Sequence, residues 1–62
     1  MSTVHARDLA PGDRVEYRHH QVHTVRSVEA QRNGWLTVTQ TDARGRVVEV
    51  HYRPGETAEI AA

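Results

Sequence analysis

Short alternating stretches of apolar and polar residues, separated by glycine-containing turns, run through this chain. Arg14-Val15-Glu16-Tyr17-Arg18 puts Val15 and Tyr17 on one face and three charges on the other, the period-two pattern of a half-buried strand. Trp35 to Thr41 repeats it, with Leu36 and Val38 facing one way and Trp35, Thr37, Thr39 and Thr41 the other. Val47 to Arg53 turns Val48, Val50 and Tyr52 inward. The stretch from Val22 to Gln31 departs from the rule, since Val22, Val25 and Val28 recur every third residue. That spacing also suits a helix, but four β-branched residues and the lack of a strong cap favour a strand with a bulge near Arg26-Ser27.

The turns between these runs carry their own chemistry. Pro11-Gly12-Asp13 and Pro54-Gly55-Glu56 read as tight turns, with proline presetting the second turn position. Asn33-Gly34 predicts a type I′ hairpin turn, and Asp42-Ala43-Arg44-Gly45 a hairpin loop ending in a bulge glycine. His19-His20-Gln21 serves as a connection. The result is one domain over 1–62: a lead-in over 1–12, then strands near 13–18, 22–31, 35–41, 46–53 and 57–60. It is an all-β reading, a small five-stranded antiparallel SH3-like barrel, since closure hides the edges of so short a sheet. Its expected core is Val15, Val25, Val28, Leu36, Val38, Val48 and Val50.

Composition narrows the chemistry. A chain of 62 residues buries only about 60% of its unfolded surface, so stability is marginal and self-association would add to it. Without cysteine there is no disulfide framework and no thiolate metal site, which fits a cytoplasmic protein. Eight basic residues, every one an arginine, balance eight acids, so no general basic excess marks a nucleic-acid binder. The arginine bias has the look of GC-rich coding; the sharper alternative is bidentate phosphate contact. No stretch approaches the ~18 apolar residues of a membrane span, and Met1-Ser2-Thr3 opens no signal peptide.

The order of elements resembles the N-terminal KOW-type, SH3-like domain of the elongation factor P and initiation factor 5A family. The likeness rests on Asp8-Leu9 with Gly12, Val15-Glu16-Tyr17 and the run His23 to Glu29. It continues in Gly45-Arg46-Val47-Val48-Glu49 and the turn Arg53-Pro54-Gly55-Glu56. It spans roughly residues 6–59 and implies contact with RNA or a ribonucleoprotein. In that family a long loop after the second strand, tipped by a modified Lys or Arg, reaches the peptidyl-transferase centre. The matching stretch here, Ala30 to Gly34, is several residues shorter and offers only Arg32 as a tip.

Candidate binding residues follow from turn parity. In a meander, alternate turns share an end, so the 18–21 and 42–45 turns meet at one end and the 31–34 and 54–56 turns at the other. The first end gathers Arg18, His19, His20, Arg44 and Arg46 against the single carboxylate of Asp42, a locally basic tip suited to phosphate or an acidic protein surface. At the other end Trp35 lies outward beside Arg32, placed to stack a base or anchor a protein partner. The histidines, five in all, read as solvated strand and turn residues rather than a metal site, although imidazole titrates between roughly pH 5 and 8.

Neither serine lies in a nucleophile motif, and a barrel this small lacks room for an apolar ligand pocket. The expectation is a binding module rather than an enzyme, with no cofactor and no small-molecule substrate. Its partner is RNA or a ribonucleoprotein; the alternative is a protein partner, the chain acting as an adaptor or inhibitor.

Overall fold

The computed structural model describes residues 2–61; Met1 and Ala62, the ends of the expected domain, lie outside the described residues. Six strands form: β1 (Ser2–His5), β2 (Arg14–Glu16), β3 (Val22–Ala30), β4 (Leu36–Thr41), β5 (Val47–Tyr52) and β6 (Thr57–Ile60). They make one antiparallel sheet in the order β1-β6-β2-β3-β4-β5. The sheet is open, with β1 and β5 at its edges, so hydrogen bonding does not close it into a barrel.

The extra strand comes from the lead-in. Residues 2–5 pair with β6 in the register Ser2↔Ile60 to His5↔Thr57, and Thr3 Oγ1 donates to Glu59 Oε1 at 2.6 Å. A 3₁₀ turn, Ala6–Asp8, follows and buries Ala6. Nothing local marks Ser2–His5 as a strand, because its partner lies at the far end of the chain.

β3 is the longest element and organises the sheet. Its first residues pair with β2, and from Thr24 onward it pairs with β4. The register steps from Val25↔Gln40 to Ser27↔Thr39, leaving Arg26 as the extra residue of a bulge. That insertion reconciles the three-residue spacing with a strand, since it lets Val25 and Val28 both turn toward the core.

The core consists of Ala6, Leu9, Val15, Val25, Leu36, Val38, Tyr52 and Ala58. Val28 and Val50 pack against it half-buried, and Val48 is also only half-buried. The inner row of β4 and β5 explains this: Leu36 pairs with Tyr52, Val38 with Val50, and the fully buried residue opposite Val48 is Gln40, a polar side chain.

Asn33-Gly34 does not form a type I′ turn. Gly34 N–H closes on Gln31 O (3.1 Å), Gln31 N–H donates to Trp35 O (2.8 Å), and Asn33 Oδ1 accepts from Trp35 N–H (3.1 Å). Only Gly34, at φ 86°, is left-handed in that loop, which is the three-residue hairpin with a bulge glycine. The second hairpin repeats the design, with Gly45 N–H on Asp42 O (3.0 Å) and Asp42 N–H on Arg46 O (2.9 Å). The left-handed pair of a type I′ turn occurs instead at His19 and His20, with φ of 61° and 59°. Histidine enters this region more readily than most side chains.

Candidate functional site

The two turns expected to share an end do so. The turn after β2 and the β4–β5 hairpin border an open groove of about 780 Å³, lined by Arg14, His20, His23, Thr24, Arg44 and Arg46 among others. Of the residues expected there, His20, Arg44 and Arg46 line it; Arg18 and His19 belong to the bordering turn and are exposed, but they do not line the groove. The groove is wider than so small a chain suggests, and it is polar and open rather than an enclosed apolar pocket.

Two lining residues, Arg14 and His23, escaped the reading from turns because they sit on strands. The register shows how they arrive: Arg14 lies opposite Thr24, and Thr24 opposite Thr41, in one row across β2, β3 and β4. Alternation around Val15 already turned Arg14 away from the core, but only strand pairing brings it to the 42–46 hairpin.

Charge in the groove is lopsided. The Asp42 carboxylate is taken up by its own turn: Oδ1 accepts from the N–H groups of Arg44 and Arg46, both at 2.9 Å, and Oδ2 lies 3.4 Å from Arg46 Nε. The backbone N–H of Arg46 foremost, then that of Arg44 and the nearby positive charge, hold its carboxyl below the usual range. Glu16, at the rim, meets His20 Nδ1 at 3.2 Å. Arg14 and Arg44 are exposed, and neither makes a side-chain ion pair among the described residues.

Behind His23, which lines the groove, runs a partly buried polar network. Gln40 Oε1 accepts from Tyr17 OH (2.8 Å) and from His23 Nδ1 (3.0 Å), and the Tyr17 and Tyr52 hydroxyls are 3.0 Å apart. An amide oxygen only accepts, so His23 carries its proton on Nδ1 in this arrangement. The Tyr17 ring lies against that of His23, centroids 4.7 Å apart. Burial, reinforced by the Tyr52 hydrogen bond, pushes the Tyr17 phenol far above its ordinary pKa. Gln40 Nε2 is buried with no partner among the described residues. The imidazole of His23 is thus held in place at the groove wall, whereas His20 is almost fully exposed.

The opposite end gathers the other candidates. Gly34 meets Pro54 there, and a smaller cleft of about 210 Å³ is lined by His5, Arg7, Gly34, Leu36, Arg53 and Glu56 among others. Trp35 is 37% exposed. Its cationic neighbour is Arg53, with the guanidinium 5.9 Å from the ring centre, rather than Arg32. Arg32 sits in the β3–β4 loop and is exposed.

Among the described residues, no three His, Asp or Glu side chains converge as metal ligands would, and no helix is long and apolar enough to cross a membrane. Compared with known proteins, the chain matches no family model, no curated protein and no solved structure.

Proposed function

We propose that this chain is a small SH3-like binding module, without catalytic activity, that contacts RNA or the RNA of a ribonucleoprotein through the groove at its basic end. The observation that carries this reading is the combination of Arg14, Arg44, Arg46, His20 and His23 around one open concavity whose carboxylate, Asp42, is already satisfied by backbone N–H groups. Guanidinium groups beside an accessible groove suit phosphate oxygens. The SH3-like description draws support from the short antiparallel strands and from the long bulged β3 shared between two neighbours. The resemblance to the translation-factor domain points the same way.

Binding of a labelled single-stranded RNA, followed by fluorescence anisotropy across a salt series, tests the proposal. Wild type binds with a steep salt dependence; replacing Arg44 and Arg46 by Ala weakens binding and flattens the slope by about 1–2, because fewer counterions are released. Stability hardly changes, since exposed charges contribute little to it. Arg32→Ala, at the other end, leaves binding intact. If Arg32→Ala abolishes binding and the double variant does not, the β3–β4 loop is the contact surface. No RNA binding up to high micromolar protein overturns the reading.

The alternative, a protein adaptor, is favoured by the half-exposed Trp35 under Arg53, two residue types common in interface anchors. Trp35→Ala then abolishes capture of the partner, while RNA binding is absent.

A further inference from the structure

The two free edges of the sheet are guarded differently. β1 has only four residues, and Ser2, Thr3 and His5 are polar. β5 has six, with no proline, lysine or bulge, and Val47 is 55% exposed. Short length, lysine, proline and bulges are the usual defences of a sheet edge against another strand. β5 has none of these four, and Glu49 is its one carboxylate.

The hairpin hydrogen bonds reveal which backbone groups the edge presents. Asp42 N–H donates to Arg46 O, which makes Asp42 and Arg46 a hydrogen-bonded pair. Such pairs alternate along an antiparallel ladder. Val48, Val50 and Tyr52 therefore direct their backbone groups toward Gln40, Val38 and Leu36 of β4. The N–H and C=O groups of Val47, Glu49 and His51 point off the sheet.

We propose that β5 pairs with β5 of a second copy of this chain, antiparallel and about a two-fold axis through Val50. In this register Glu49 of each copy lies opposite His51 of the other, and each such pair exchanges two backbone hydrogen bonds. Val50 faces its own counterpart, and Val48 lies opposite Tyr52. The His51 ring is already oriented, because Nδ1 lies 3.2 Å from Thr37 Oγ1, which leaves Nε2 for the opposing carboxylate. Two six-stranded sheets become one continuous sheet.

The neighbouring registers are worse. Centring the pairing on Glu49 sets two carboxylates face to face, which destabilises a sheet. Centring it on His51 places two imidazoles together and sets Glu49 opposite Arg53, whose N–H is already held by Glu56 Oε1 at 2.8 Å. That leaves one unobstructed hydrogen-bonded pair, where the Val50 register has two and meets Arg53 only at its ends, opposite Val47. Pro54 then ends the ladder, having no N–H to give. The two-fold also sets the Arg44 and Arg46 turn of one copy at the same end of the sheet as Arg53 of the other.

Sedimentation velocity from micromolar to millimolar protein tests the pairing, with far-UV circular dichroism to check folding. Wild type sediments as a dimer at the upper concentrations. Glu49→Arg and His51→Glu each weaken association about tenfold or more, since each alters both symmetric pairs. The double swap, Glu49→Arg with His51→Glu, restores it. Glu49→Pro removes an N–H that faces off the sheet, so the variant stays folded and is monomeric; should it fail to fold, the charge swap decides alone. Amide exchange adds a reading on wild type: Glu49 and His51 N–H become protected as concentration rises. A wild type that stays monomeric at millimolar concentration overturns the proposal. So do single variants that associate like wild type, a double swap that does not recover, or unprotected Glu49 and His51 amides.

Discussion

The two ends of the sheet use the same backbone devices and arrive at opposite surfaces. Each has a three-residue hairpin loop with a left-handed glycine, Gly34 at one end and Gly45 at the other. At the Trp35 end the turns touch: a Cβ added to Gly34 would stand 3.1 Å from Pro54 Cγ, Arg53 lies over Trp35, and only a small cleft remains. At the basic end no described residue beyond its chain neighbours lies within 4 Å of the corresponding point on Gly45, and a groove more than three times larger stays open. A shared turn geometry therefore does not decide whether a sheet end is sealed. What decides it is whether the next turn carries something to pack, here Pro54 and Arg53, or a pair of exposed histidines.

Core truncation sharpens the contrast most. Leu36→Ala, at the sealed end, removes a buried side chain and should cost about 2–5 kcal/mol, enough to unfold much of so small a domain. Val48→Ala, at the open end, should cost about 1 kcal/mol or less, because Val48 is half-exposed beside a polar neighbour. Urea titrations of both variants measure the difference; equal losses would mean that the two ends are equally packed.

The glycines come next. Valine at either position must adopt positive φ, at roughly 1–2 kcal/mol. Gly34→Val meets Pro54 as well, so its melting temperature should fall further than that of Gly45→Val. Matching melting temperatures would show that the Gly34–Pro54 contact gives way freely.

The smallest effect concerns the side chains that close the two hairpins. Asp42 accepts two backbone N–H groups, Asn33 one. The Asp42 carboxyl is held below its unfolded value, so its contribution to stability is present above the ordinary carboxylate range. It fades as pH falls through the depressed value. Acid titration followed by the amide signals of Arg44 and Arg46 should show the 42–46 loop loosening below about pH 4. Asp42→Asn should remove that dependence, while the 31–35 loop, closed by an uncharged amide, should show none of its own.

Much of the fold was legible because it is local. Alternation located β2, β4 and β5, the valine spacing with its β-branched neighbours placed a bulge near Arg26-Ser27, and turn parity brought His20, Arg44 and Arg46 to one end. The failures are equally instructive. The residue types of Asn33-Gly34 point to a type I′ turn, yet asparagine tolerates either sign of φ, and the loop takes the three-residue form. The true left-handed pair fell on His19 and His20, where composition gave no sign of it.

By itself, then, the sequence determined the strand periods, the turn positions and the charge carried at each turn, all set by interactions a few residues apart. Only the tertiary structure decided that Ser2–His5 becomes an edge strand on β6, that Gln40 is buried between Tyr17 and His23, and that Arg14 reaches the groove. It also decided that the sheet stays open with the outer edge of β5 unpaired. Each of these rests on a pairing between distant segments, and a side chain's own neighbours in the chain exert no force that distinguishes one distant partner from another.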